Sequence, residues 1–212
     1  MQGKFITIEG IEGVGKSTNI AFVRSWLESH GINCLLTREP GGTELGEALR
    51  SLLLHGGEVS DKAELLMMFA ARAQHLEEKI KPALEQGVWV ICDRFTDSTY
   101  AYQGGGRMLN VDWITSLEEL VLESFQPDLT LLLDAPVEIG RARAAKRGAA
   151  DRIEAEDIAF FNRVRDMFLF RSKQSQRYSV VDATQALSNV QSDIETSLSL
   201  LLNSTHTLGT TQ

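Results

Sequence analysis

Gly10-Ile11-Glu12-Gly13-Val14-Gly15-Lys16-Ser17 fits the pattern G-x-x-x-x-G-K-[ST] in full, between an alternating apolar run and an amphipathic one. Glycines at this spacing let the backbone wind around an anion with successive N–H groups turned inward. A helix beginning at Ser17 would add its positive N-terminal end. Lys16 supplies a point charge for β- and γ-phosphates, and the Ser17 hydroxyl can ligate Mg²⁺. The implied chemistry is nucleoside triphosphate binding by Gly10, Ile11, Glu12, Gly13, Val14, Gly15, Lys16, Ser17 and Thr18. Three classes use it: phosphotransferases, regulatory GTPases and mechanical ATPases. No Asn-Lys-x-Asp run selects guanine, and a chain of 212 residues without a second domain is a poor motor. A phosphotransferase needs an acceptor site facing the loop.

Asp93-Arg94 follow the apolar run Val88 to Cys92. Asp93 stands where a carboxylate beside Ser17 would hold Mg²⁺ through water, and Arg94 can grip a phosphate with two N–H groups. From Asp97 to Arg107 come Tyr102, Gln103 and three glycines; a Gln amide can pair with a pyrimidine edge and a Tyr ring can close on a sugar. Phe69 and Arg72 are three apart, on one helix face, so a ring could stack a base while a guanidinium meets a base carbonyl. Phe69 also reads as core, within Leu65 to Phe69. Arg141, Arg143, Lys146, Arg147 and Arg152 form the densest basic run of the chain. It reads either as a solvated face or as a lid that closes arginines over transferring phosphates.

The elements that must position these residues alternate. Strands are expected at Phe5–Glu9, Ile32–Thr37, Val88–Cys92, Leu129–Leu133 and Tyr178–Val181. Helices are expected at Ser17–His30, Glu44–Leu54, Ala63–Glu85 (kinked near Pro82), Asp112–Ser124, Val137–Arg147, Ala155–Ser175 and Leu187–Leu202. Gly104-Gly105-Gly106 reads as a turn, and Asn203 to Gln212 as a frayed tail. This βα alternation predicts an α/β fold: one five-stranded parallel sheet with helices on both faces and ligands at the carboxyl ends of the strands. Residues 1–203 would form a single domain, with a short lid at about 143–154 and a flexible tail at 204–212. A formal charge of −8 argues against coating nucleic acid. The chain has no apolar run of membrane-spanning length and no signal segment, and it is expected in the cytoplasm. Cys34 and Cys92 read as buried thiols, outside any zinc-type spacing.

Taken together, these blocks resemble thymidylate kinases, P-loop enzymes of the nucleoside monophosphate kinase type. The resemblance runs from Phe5 to about Asp182. It is carried by the Glu12-containing P-loop, Thr37-Arg38-Glu39-Pro40-Gly41-Gly42, Phe69-Ala70-Ala71-Arg72, Asp93-Arg94-Phe95, Thr99-Tyr100-Ala101-Tyr102-Gln103-Gly104 and Asp151-Arg152-Ile153-Glu154. It implies transfer of the γ-phosphoryl of ATP to dTMP with Mg²⁺, by a homodimer. By the same resemblance, Phe69 rather than its neighbour Met68 would stack on thymine. Arg72 and Gln103 would bond its edge, with Thr99 near the base and Tyr102 under the deoxyribose. Arg94, Arg38 and Arg50 would hold the dTMP phosphate beside Glu39 and Pro40. Glu12 would sit between sugar and phosphates. Lys16, Glu12, Arg94, Arg147 and Arg152 would be catalytic, with Arg143 a further lid candidate. Another nucleoside monophosphate or deoxynucleoside kinase, or a nucleotide-binding regulator with little turnover, stays open at this point.

Overall fold

A computed structural model describes residues 3–145 and 151–207. Five strands, β1 (Phe5–Glu9), β2 (Cys34–Arg38), β3 (Trp89–Asp93), β4 (Leu129–Asp134) and β5 (Tyr178–Asp182), form one sheet in the order β2-β3-β1-β4-β5. Every pairing is parallel. β1 therefore sits between β3 and β4, and the chain crosses to opposite sides of it. That reversal of strand order opens a crevice at the carboxyl ends, where Glu9, Arg38 and Asp93 end their strands.

Alternation along the strands divides the core in two. Phe5, Val90 and Cys92 pack with α3 (Asp61–His75) and α6 (Val111–Leu122). Ile6, Ile8 and Ile91 belong to a second core that includes α1 (Lys16–Ser29) and α9 (Leu187–Thr207). A strand covered on both faces can be apolar throughout, as β1 and β3 nearly are. The remaining helices are α2 (Glu44–His55), α4 (Lys81–Glu85), α5 (Thr96–Thr99), α7 (Val137–Ala144) and α8 (Ile158–Ser172).

Four expectations change. The long helix is irregular one turn before Pro82: Leu76–Ile80 winds as a π-helix, with the Lys81 N–H donating to the Leu76 carbonyl. Pro82 has no N–H to offer the carbonyl one turn earlier, so the ladder adjusts there. The triple glycine is not a turn but the end of a second π-helical segment, Tyr100–Gly106. It packs against α8 so closely that a Cβ on Gly105 would lie 2.7 Å from the Arg163 carbonyl oxygen. Where the sequence predicts a frayed tail from Asn203, α9 continues to Thr207, and 208–212 lie outside the described residues. Lys146, Arg147 and the break at 148–150 lie outside the described residues. Cys92 is buried as expected, but Cys34 is only half-buried.

Candidate active site

The phosphate loop turns at glycines whose backbone angles an L side chain rarely adopts. Gly13 has φ +77°, and a Cβ there would lie 1.9 Å from the Gly140 carbonyl oxygen. Gly15 has φ +91° and stands at the N-cap of α1, without a side-chain cap and with no acidic residue in the first turn. The N-terminal N–H groups of α1 are thus left for an anion. Lys16 Nζ lies 3.3 Å from the carbonyls of Gly10 and Ile11, curled over its own loop. Burial first, and Arg94 next, lower its ammonium from 10.5 to about 8.

A cleft of about 380 Å³ runs from this loop to the far wall. Glu12, Gly13, Gly15, Lys16, Ser17 and Thr18 line one end. Gly10 shapes the turn without lining the cleft, and Ile11 and Val14 turn into the core.

Arg94 occupies the middle. It has a left-handed φ of +69°, a strained setting for a residue with a Cβ. Glu9 holds the backbone there: Phe95 N–H donates to Glu9 Oε1 at 2.7 Å and Ser98 Oγ donates to Oε2 at 2.6 Å. Burial, then the nearby Asp97, raises the Glu9 carboxyl to about 8. The Arg94 guanidinium donates to Glu12 Oε1 (2.7 Å), the Gly10 carbonyl (3.0 Å) and Ser98 Oγ (3.1 Å). Tyr102 O–H lies 2.9 Å from both Glu12 oxygens, and Arg94 rides 4.9 Å over the Tyr102 ring. Burial pushes the Glu12 carboxyl up, but Arg94 and Lys16 outweigh it and the net shift is downward. Glu12 therefore stays anionic beside two cations.

The far wall comes from β2, α2 and α3. Arg38, Glu39, Pro40 and Arg50 line it as expected. Arg50 donates to the Pro40 carbonyl at 2.9 Å, and Arg38 pairs with Glu47 at 2.8 Å on the surface. Glu39 and Pro40 are joined by a cis peptide bond. Glu39 is buried and takes Arg72 Nε at 2.7 Å and His75 Nδ1 at 3.0 Å, while Thr37 Oγ1 meets His75 Nε2 at 2.7 Å. Arg72 Nη2 donates to Thr99 Oγ1 at 3.0 Å. Its Nη1 is buried with no partner among the described residues. A buried donor left in this way is expected to meet an acceptor from a ligand.

Two expected residues are elsewhere. Phe69 is 2% exposed, belongs to the core beneath α3 and does not line the cleft; Arg72 lies 4.9 Å over its ring. Met68 lines the cleft in its place. One residue along a helix turns the side chain by about 100°, enough to exchange cleft for core. Arg152 is also off the cleft: it pairs with Glu64 and donates to the Leu53 carbonyl at 2.9 Å, tying residues 151–157 to α2 and α3. Arg143 does line the cleft, with Nη1 on the Ala183 carbonyl at 3.0 Å. Arg147 is outside the described residues.

The sequence reading missed Glu64, Ser98 and His75. Glu64 carried a signal: a carboxylate in the run Ala63-Glu64-Leu65-Leu66 must find cationic partners if buried. His75 and Ser98 carried none, because their partners are remote in sequence.

Among the described residues no group of three or more His, Cys, Asp or Glu could hold a metal. Ser17 and Asp93 both line the cleft, and Asp93 Oδ1 is buried with no partner among the described residues. Such oxygen donors fit Mg²⁺ that keeps most of its shell as water and phosphate oxygens.

The family model described as thymidylate kinase matches residues 8–194. The thymidylate kinase of Chromohalobacter salexigens is 56% identical over 197 residues, covering 91% of this chain and 93% of that one. That of Pseudomonas putida strain GB-1 is 56% identical over 198 residues, covering 92% and 94%. A solved structure, thymidylate kinase from Ehrlichia chaffeensis, superposes with a TM-score of 0.78 at 35% identity, covering 94% of this chain and 99% of that one.

Proposed function

The chain belongs to the thymidylate kinase family, and we propose on that premise that it transfers the γ-phosphoryl of ATP to the 5′-phosphate of dTMP, giving dTDP and ADP. The observation that carries this is the single cleft with a phosphate loop at one end and, facing it, Arg94 and a buried Arg72 with a spare N–H.

Lys16 and the N–H groups at the start of α1 take the β- and γ-phosphates of ATP. Ser17 and Asp93 would hold Mg²⁺, and the ion would supply charge neutralisation at those phosphates. Arg94, with Arg38 and Arg50, orients the acceptor phosphate. Glu12 and Tyr102 hold Arg94 in its place and close on the sugar side. Arg72, Gln103 and Thr99 meet the base, and Met68 offers it an adaptable, polarisable wall. An ionised oxygen of dTMP attacks the γ-phosphorus while the bond to the bridging oxygen of ADP breaks and ADP leaves with its electron pair. No side chain need act as a base. The chain's contribution is alignment and charge, with Arg143 as the cation on the lid side.

We further propose a homodimer working in the cytoplasm. No helix among the described residues is long and apolar enough to cross a membrane.

The test is ADP release from Mg-ATP with dTMP, dUMP, dCMP, dGMP and thymidine as acceptors. Strong turnover with dTMP and weaker turnover with dUMP is expected, since one methyl group is worth only about 1–3 kcal/mol. Preference for another monophosphate would discard the base contacts; no acceptor-dependent ADP would leave a nucleotide-binding protein.

A further inference from the structure

A glutamine side chain reads a base in either of two ways, because its oxygen and nitrogen are interchangeable in shape. Which face Gln103 presents depends on its neighbour. Gln103 and Glu64 are each 1% exposed, and Gln103 Nε2 donates to Glu64 Oε1 at 2.7 Å. An ionised carboxylate only accepts. Glu64 is also met by Arg107 at 3.5 Å and by Arg152. With those cations against it, its carboxyl is held below the ordinary range although burial pushes it up. The Gln103 NH₂ must therefore face Glu64, and its carbonyl oxygen is left for the cleft that Gln103 lines.

Across that cleft Arg72 has committed Nε to Glu39 and Nη2 to Thr99, leaving Nη1. The wall thus offers one acceptor, Gln103 Oε1, and one donor, Arg72 Nη1. We propose that Glu64 is a specificity-determining residue, one that fixes the Gln103 amide so that the pocket accepts an N–H beside a carbonyl. Thymine and uracil present that pair as N3–H and O4. Cytosine presents the reverse, a bare N3 beside an amino group, so both contacts are mismatched. The inference rests on the dTMP reading above and deepens it.

The test compares kcat/KM for dTMP, dUMP and dCMP in the unsubstituted protein, Glu64→Gln, Glu64→Asp and Arg152→Ala. An amide at position 64 can present oxygen or nitrogen, so Gln103 becomes free to reverse and one cytosine mismatch disappears. The dTMP:dCMP ratio should fall at least about tenfold in Glu64→Gln, within the range set by single pocket contacts. The dTMP:dUMP ratio should move less than about threefold, because Gln103 does not read the methyl group. Glu64→Asp, still only an acceptor, and Arg152→Ala, which removes the ion pair and the bond to the Leu53 carbonyl but leaves the carboxylate facing Gln103, should both keep the dTMP:dCMP ratio. Each ratio is taken on one preparation, so a smaller folded fraction cancels. An unchanged dTMP:dCMP ratio in Glu64→Gln, or a parallel fall in both ratios, overturns the inference. If Glu64→Gln yields no folded protein, Glu64→Asp decides, and a tenfold fall in its ratio is fatal. An unsubstituted protein that uses dCMP as well as dTMP would reject the acceptor reading itself, independently of any Glu64 variant.

Discussion

Met68 and Phe69 are neighbours on α3 with opposite surroundings, and substitution should separate them. Phe69→Ala removes a buried ring from a packed core and should cost about 3–5 kcal/mol of stability, read by urea denaturation. Its folded fraction should keep a near-normal KM for dTMP. Met68→Ala should do the reverse, raising that KM several-fold with little change in stability. Equal kinetic damage from both would return Phe69 to the base. Lys16 supports a second expectation. Its ammonium is lowered to about 8 by burial and by Arg94, whereas bound phosphates favour the charged form. Above pH 8 the free protein has lost this proton and the ATP complex regains it. Binding should therefore take up a proton and weaken as pH rises through 8, read by calorimetric titration in buffers of different ionisation heat. Lys16→Ala should abolish the uptake and lower turnover by about 10²–10³-fold, as loss of one preorganised donor does.

The π-helical segment Tyr100–Gly106 delivers Tyr102 and Gln103 to the cleft, and its position depends on how near it comes to α8. Arg163 donates to the carbonyls of Gly105 (3.3 Å) and Gly106 (2.9 Å), so backbone left open by the irregular winding is satisfied from across the contact. A Cβ at Gly105 would meet backbone at 2.7 Å, whereas at Gly104 it would meet only the ends of side chains, the nearest Ile114 at 3.2 Å. Gly105→Ala should thus cost about 1–3 kcal/mol by overpacking and raise KM for dTMP. Gly104→Ala should stay within about 0.5 kcal/mol. Equal denaturation midpoints for the two would show that α8 yields without moving the segment. The run of three glycines is plain in the sequence and by itself reads as a turn. What makes it a helix is a partner 58 residues away from Gly105, which local spacing does not encode.

At the scale of the molecule, α2, α3 and α6 expose large apolar side chains: Leu52, Leu66 at 57%, Trp113 and Leu120 at 76%. Apolar area of this kind on adjoining helices is what a second copy would cover. The protein should sediment near twice 23.5 kDa, and Leu66→Glu should shift it toward the monomer. A monomer at micromolar concentration would discard the homodimer.

The phosphate loop, the parallel sheet and the strand ends that carry Arg38 and Asp93 follow from the sequence alone. Glycine spacing and apolar alternation are local constraints, and each admits few backbone solutions. Which residue of a helix faces a ligand is set by tertiary packing, because rotation about the helix axis is decided by what the other face buries. That is why Phe69 exchanged places with Met68. The partners of buried carboxyl groups are decided in the same way. Glu9 against the Phe95 N–H and Ser98, Glu39 between Arg72 and His75, and Glu64 between Gln103 and Arg152 are contacts that only the folded chain brings within hydrogen-bond reach.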